Sequence, residues 1–552
     1  MANKHVNAVV VGAGAGGGIA AKELATHGLS VLLLERGKKY TYDDHDNDEL
    51  ISQRSFPLKC AFGPNNEQYR RVLAEEDEDP RIVYPNEWAY GNNAACVGGG
   101  TLSYGAMAWR FLPEDFKLKS TYGHIEGSTM EDWPITYEDL EPFYEKAEYE
   151  IGVAGDYTHN PYSGQRSKPF PMPAFSYNKE GRMLEPVAQK NGWHPFPIPM
   201  LRNSVPYGGR PACYRMRTCV GYACPVNAKC GTQNTVIPVA LQTGNCTLKI
   251  ECKVFDIMVN DQGIARGVKY YDENDKLQEQ TSDIVVVAAS ATETARLLLN
   301  SKSKLFPNGA GNNNGWVGKN LQDHAYTGAI GLFEEEVFDD VGPGACIAIS
   351  DFNHHNEGVI GGGVLCNEFI RMPYLYSHNR PPGSPKWGKA HKDFQRKYYK
   401  RNIGVHGPVQ EIPVFTRQCE IDPVIKDYWG VPTLRMSGLK HPEDIQTCLF
   451  LSEKAEKWLL DTGAVKTWRK VPGRGGTPSQ HQAGSCRMGN DPETSVTNKY
   501  GQLHEIDNIF IADGSLHVTN GGFNPALTIM AVSYWVSDYI KKEWNGTKFK
   551  SN

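Results

Sequence analysis

The most restrictive feature of this sequence lies at its front. Val6 to Val11 is a short apolar, β-branched run that ends in Gly12-Ala13-Gly14-Ala15-Gly16-Gly17-Gly18. A helical segment, Ile19 to His27, follows, and then a second strand, Ser30 to Leu34, closed by Glu35. A strand, a glycine turn and a helix with an acidic residue about 20 positions on form the arrangement that dinucleotide binding requires. Gly12 permits the tight turn and Gly14 lets the backbone approach a pyrophosphate. Gly17 lets the helix pack close, with its N-terminus toward the phosphates. Glu35 is placed to accept hydrogen bonds from the adenosine ribose. The motif alone does not separate NAD from FAD.

A second constraint comes from the other end of the chain. His481-Gln482-Ala483-Gly484-Ser485-Cys486-Arg487-Met488 sets a histidine ahead of a Gly-Ser-Cys turn. In Gly522-Phe523-Asn524-Pro525-Ala526-Leu527-Thr528 an asparagine is held by a proline at the start of a helical run. An imidazole and a carboxamide presented together suit removal of a proton from a hydroxyl. His481 accepts the proton and Asn524 orients the oxygen. Between these ends, Cys96-Val97-Gly98-Gly99-Gly100-Thr101-Leu102-Ser103-Tyr104-Gly105-Ala106 lets a backbone lie against a flat ligand.

These segments fall in the order of the glucose–methanol–choline (GMC) flavoprotein oxidoreductases, and the sequence resembles that family. Gly318-Lys319-Asn320-Leu321-Gln322-Asp323-His324 and Ile511-Ala512-Asp513-Gly514-Ser515 add to the likeness. The resemblance implies FAD, with Gly99, Gly100 and Thr101 against it and Ser103, Tyr104, Gly105 and Ala106 near the flavin ring. It also implies Val254 at the adenine and Asp513 near the pyrophosphate and ribityl chain, with Gly514, Asn524 and Pro525 in contact with the cofactor. Some sugar-oxidising members attach FAD through a histidine just after the glycines. Leu102, Ser103 and Tyr104 stand there in this chain, so non-covalent FAD is expected.

The implied fold class is α/β, a Rossmann-type FAD-binding domain joined to an α+β substrate domain built on an antiparallel sheet. The first would take residues 1–165, 205–325 and 476–552, and the second 166–204 and 326–475. Glu131 to Leu140 resembles the catalytic subunits of bacterial FAD-dependent sugar and sugar-acid dehydrogenases. That likeness implies oxidation of a sugar hydroxyl, with C3-OH of a glucoside as the leading expectation. Hydride would pass to flavin N5 with His481 as base, and electrons onward to a cytochrome or quinone, with a small subunit as a further partner. An oxygen-using oxidase and a non-catalytic flavin scaffold or sensor are the alternatives.

Thirteen cysteines is a high and odd number. Those scattered singly read as small core residues in a reducing compartment. Cys213, Cys219, Cys224 and Cys230 are clustered, and four soft ligands so close together suit an iron–sulfur cluster or zinc. The resembled dehydrogenases carry a three-iron cluster here, with Cys213, Cys219 and Cys224 as the matching ligands and Cys230 as a fourth candidate. Zinc, a disulfide and free thiols stay open.

At 552 residues the chain needs two domains or one very large fold. A net charge of −5 without a long basic run argues against nucleic acid or an anionic membrane as partner. No apolar run approaches the roughly 20 residues that span a bilayer. Met1 to His5 leads straight into the first strand, so a cytoplasmic protein is expected, or one exported on a partner's signal. Asp43 to Pro80 reads as a surface excursion, and Cys246 to Val259 as one alternating strand. Asp283 to Ser290 reads as a buried parallel strand. From Ala325 to about Val471, segments such as Ile412 to Ile421 suggest antiparallel strands. Arg371 to Tyr399, dense in aromatic and basic residues, offers either a wall for stacking sugars or ordinary core with solvated charge.

Overall fold

The computed structural model describes residues 4–45, 47–75, 79–367, 370, 372–475, 480–544 and 549. Met1 to Asn3, Arg371 and the boundary at residue 476 named above lie outside them. Val6–Val11 is apolar throughout because it is buried between two parallel neighbours. On one side Val9 pairs with Leu32 and on the other with Val285. The seven-stranded sheet runs Cys246–Lys249, Val31–Leu34, Val6–Val11, Leu277–Val287, Ala265–Tyr271, Lys253–Val259. Leu277–Val287 is long enough to serve two partners. Its first half is antiparallel to Ala265–Tyr271 and its second half is parallel to Ile509–Ile511. The carboxyl ends of these parallel strands therefore collect Gly12, Glu35, Ala288 and Ala512 along one edge, where α/β sheets bind ligands.

The C-terminal segment is locked to the N-terminal helix by close backbone contact. A Cβ at Gly16 would stand 1.7 Å from the Ala512 carbonyl oxygen. Ser533, on the helix Ala526–Glu543, donates to the Gly16 carbonyl at 2.8 Å.

A second sheet is antiparallel throughout and runs Lys466–Lys470, Ala325–Leu332, Asn402–Val409, Leu365–Asn367, Ile347–Ile349, Phe196–Pro197. The helix Pro442–Asp461 covers it, burying Leu451, Ala455, Trp458 and Leu459 against Ala329, Ile347, Leu365 and Val405. The protein is thus α/β, a Rossmann-type nucleotide-binding sheet joined to a part built on an antiparallel sheet.

Four readings of the sequence need correction. Asp43 to Pro80 is no surface excursion, because Phe56, Phe62 and Arg71 are buried and Arg71–Ala74 is a strand. Its polar look misleads because the Arg71 guanidinium is paired inside, with Glu293 at 2.7 Å. Ile412 to Ile421 is a strand only from Gln418 onward, where it is antiparallel as expected. Gln418–Lys426 pairs with Pro432–Ser437 in a separate four-stranded sheet that includes Arg71–Ala74. Cys246 to Val259 breaks into two strands because the chain turns over the sheet end, where Cys252 donates to the Glu35 carbonyl. Lastly, of the two readings of Arg371 to Tyr399 the wall for stacking sugars fails, because Pro373–His378 and Gly388–Tyr398 are helices and no side chain of the second is buried. Phe394 and Tyr398 lie on Ile330, Leu332 and Trp468, away from the cavity described next.

Among the described residues no helix is long and apolar enough to cross a membrane.

Candidate active site

Distant parts of the chain meet around one cavity of about 320 Å³. Gly12, Gly14 and Glu35 line it from the first sheet, and Gly99, Gly100, Thr101, Ser103, Tyr104, Gly105 and Ala106 from the glycine-rich loop. Val254 closes one end, and His481, Asp513, Gly514, Asn524 and Pro525 come from the C-terminal segment. Gly17 is not on the wall. A Cβ there would lie 1.8 Å from the Gly12 carbonyl oxygen, so it serves the close packing of helix on turn. Gly14 and Gly100 behave differently, because a Cβ on either would meet no protein atom within 4 Å. Such side chains would occupy space that a bound molecule needs, so the cradle fits a dinucleotide lying against bare backbone. Gly100→Val is accordingly expected to give a folded protein that loses most of its bound flavin. The 450 nm absorbance per protein, with an unchanged circular dichroism spectrum, checks this.

The two buried acids on the wall brace it. Glu35 accepts from the backbone N–H of Ala13 at 2.8 Å and of Gly37 at 2.9 Å, which fixes the glycine turn. Asp513 accepts from the Ser290 N–H at 2.9 Å and the Thr294 hydroxyl at 2.6 Å, tying the C-terminal segment to the helix Ala291–Asn300. Burial raises the pKa of both carboxyls, against which these donors act.

The chemistry-bearing groups on the wall are joined by hydrogen bonds that define which atoms carry protons. His324 Nε2 faces the carbonyl oxygens of Asn520 at 3.1 Å and Gly521 at 2.8 Å, so that nitrogen bears a hydrogen. Burial holds the His324 imidazole below its ordinary range, so the ring is neutral and its Nδ1 is an acceptor. That Nδ1 lies 2.9 Å from His481 Nδ1, which must then be the donor. His481 is left with an unprotonated Nε2. A separate chain of bonds gives the same answer. Trp109 Nε1, which can only donate, lies 2.9 Å from Asn524 Oδ1. This turns Asn524 Nδ2 toward the Tyr326 hydroxyl at 2.8 Å and toward His481 Nε2 at 3.5 Å. A hydroxyl placed there accepts from the amide and donates to the imidazole.

Burial also holds His481 well below the ordinary histidine pKa, with smaller contributions from His324 and Arg54, so it rests neutral. Its backbone is in the left-handed region at φ 66, and Asn520 Nδ2 holds its carbonyl at 2.7 Å. A non-glycine residue kept in that region costs of order 1–3 kcal/mol, supplied by the surrounding contacts. His324 is fixed from behind by Glu411, which accepts from the N–H of Asp323 at 3.0 Å and of Ala325 at 2.9 Å. Arg417 and Lys440 pair with both buried acids, Asp323 and Glu411. The sequence alone gives no role to His324, which lies in the Gly318 to His324 segment, or to Trp109. The signal was present in the acid–histidine pair, but the partner of His324 lies 157 positions away.

Asn520 also contacts His517 Nδ1, through its Oδ1 at 3.0 Å. Burial pushes His517 down to about 4. The unfolded chain therefore binds this proton near pH 6.5 while the folded one does not. Stability is complete above pH 6.5 and falls as pH drops toward 4, by about 2 kcal/mol at pH 5 from this group alone. Urea unfolding at pH 7 and pH 5 checks this, and His517→Asn should lose that share of the difference.

Of the clustered cysteines, Cys213, Cys219 and Cys224 line one small pocket with Arg202 and Lys229. Cys230 does not line it. Its thiol instead donates to Asn203 Oδ1 at 3.2 Å in the core, apart from the other three. All thirteen cysteines are free thiols, so no disulfide joins them. Among the described residues no three His, Cys, Asp or Glu side chains, the pocket cysteines included, are arranged to hold a metal ion. Arg202 and Lys229 are buried, and neither is paired with a carboxylate among the described residues.

Comparison with known proteins agrees with this architecture. The GMC oxidoreductase family models match residues 206–326 and 416–533, and a NAD(P)-binding Rossmann-like domain model matches residues 10–65. The chain is 29% identical to a 2-methyl-1,2-propanediol dehydrogenase of Mycolicibacterium austroafricanum, over 98% of this chain and 96% of that one. It is 27% identical to a gluconate 2-dehydrogenase flavoprotein of Pantoea cypripedii, over 98% and 94%. Pyridoxine 4-oxidase from Mesorbium loti shares the fold, with a TM-score of 0.63 at 15% identity over 98% of this chain and 100% of that one. With both family models falling on the segments that build the cavity, this chain belongs to the GMC oxidoreductase family, flavoenzymes that act on CH–OH groups.

Proposed function

We propose that this chain is a dehydrogenase that oxidises a secondary hydroxyl of a sugar or glycoside to a ketone, with C3-OH of a glucoside as the leading substrate. The observation that carries this reading is the pairing of an unprotonated imidazole nitrogen with an amide donor, 3.5 Å apart on the cavity wall. Non-covalent FAD, held by Gly12, Gly14, Glu35, Gly99, Gly100, Thr101, Val254 and the 513–514 turn, supplies the hydride acceptor when bound. The substrate hydroxyl oxygen accepts from Asn524 Nδ2, and its proton passes to His481 Nε2 as the carbinol hydride departs. His324 Nδ1 accepts from His481 Nδ1 throughout, so the ring that takes the proton does not turn. Trp109 and Tyr326 keep the amide from rotating. A general base of this kind contributes roughly 10²–10⁴-fold. The likeness to a gluconate dehydrogenase flavoprotein supports a polyhydroxylated substrate.

We infer further that Cys213, Cys219 and Cys224 are the residues that would hold a three-iron cluster. Two buried cations without a carboxylate need an anionic neighbour, and a thiolate-bound cluster supplies it. Electrons then leave to an external cytochrome or quinone, with a small subunit as a further partner. The test is the visible and EPR spectrum of the purified protein with iron quantified, followed by turnover of methyl glucosides, glucose and gluconate. Rates with oxygen and with ferricenium are compared. A cluster signal and a strong preference for ferricenium are expected. An iron-free flavoprotein that uses oxygen as well as ferricenium would make it an oxidase, and an unbleached flavin across the panel would make it a scaffold.

A further inference from the structure

The extended segment Met200–Asn203 lies between the two sites. On one side Leu201 N–H donates to the Ala106 carbonyl at 2.7 Å, in the loop that lines the large cavity. On the other, Cys230 N–H donates to the Leu201 carbonyl at 3.0 Å and Cys213 N–H to the Asn203 carbonyl at 2.8 Å. The segment is therefore pinned to the cavity loop and to the cysteine loop at once. Arg202, at its centre, is 1% exposed, so its charge is not screened by water.

The two ends of the Arg202 guanidinium point to different sites. Nη2 donates to the Gly105 carbonyl at 2.9 Å, and Gly105 lines the cavity. Nη1 donates to Cys219 Sγ at 2.8 Å. Lys229, the other buried cation of the pocket, does not duplicate this. Its ammonium donates to the backbone carbonyls of Cys219 at 3.0 Å and Tyr222 at 2.7 Å and also acts on the Cys219 thiol, but neither of those residues lines the large cavity. Arg202 links a cavity-lining carbonyl to a sulfur through one rigid, planar, always-charged group.

We propose that Arg202 is the positioning residue that joins the two sites, bridging Gly105 to Cys219 and setting how readily the cysteine-bound cluster accepts an electron. This role rests on the three-iron reading given above. Hydrogen bonds to a ligating sulfur and the net charge beside it set the potential of an iron–sulfur centre, so a cation donating directly to Cys219 makes the centre easier to reduce. With flavin and cluster bound, the two electrons taken from each oxidised hydroxyl would pass singly to two equivalents of a one-electron acceptor, haem iron or ferricenium, and the two protons would go to solvent.

The test compares the wild-type holoenzyme with Arg202→Met and Arg202→Lys. Flavin and iron content are measured first, and the cluster midpoint potential is then read by EPR-monitored redox titration without substrate. In Arg202→Met the cluster is expected to become harder to reduce by tenfold or more in its equilibrium, about 59 mV for a one-electron couple. Delivery to ferricenium is expected to fall about 10-fold or more. Arg202→Lys keeps a charge but has no fork, so its midpoint should fall between the two, which also guards against loss through misfolding of the methionine variant. An unchanged midpoint in both variants at wild-type iron content overturns the role of Arg202 and leaves the cluster standing. A wild-type protein with full flavin and no iron overturns both.

Discussion

Replacing His481 with alanine slows flavin reduction by at least about 10²-fold while FAD stays bound. The expectation follows from the proton positions already derived. Nε2 is the unprotonated nitrogen facing the amide donor on the wall, and without it the substrate hydroxyl keeps its proton as hydride leaves. Nothing in the cradle made by Gly14, Gly100 and Glu35 depends on the imidazole, so flavin content serves as the internal control. Stopped-flow absorbance at 450 nm with the best substrate of the panel measures the effect. A variant that reduces its flavin at the wild-type rate rejects His481 as base.

Removing His324 is the second large effect. With His324→Ala the Nδ1 hydrogen of His481 loses its acceptor and the ring is free to rotate or to take the other tautomer. Displacement of a reacting group on this scale costs about 10²-fold. The informative comparison is His324→Gln. A glutamine amide can offer N–H to the Asn520 and Gly521 carbonyls and its oxygen to His481 Nδ1, so it should recover much of what alanine loses. Equal losses in the two variants would show that His324 merely fills space.

The fold was legible wherever a local pattern had a single physical meaning. The run from Val6 to Glu35 combines strand, turn, helix and acid within a few tens of residues, and no other structure satisfies all four. Asp283 to Val287 showed by its unbroken apolar character that both faces are covered, and it lies beside Val6–Val11. What stayed hidden depended on distant partners. Arg71 looked like surface because the acid that neutralises it, Glu293, is 222 positions away. The same holds at the site. His481 and Asn524 stood out by residue type and spacing, whereas the groups that fix their protons, His324 and Trp109, are joined to them only by tertiary structure. The cysteines show the limit of spacing as a guide. Four fall within a short stretch, yet Cys230 turns into the core while the other three share a pocket.

The left-handed backbone at residue 481 has an evolutionary consequence. At that position glycine or asparagine suits the main chain better than an imidazole does. A lineage relieved of its catalytic duty would therefore gain robustness by abandoning histidine there, and decay of the enzyme would begin at its own proton acceptor.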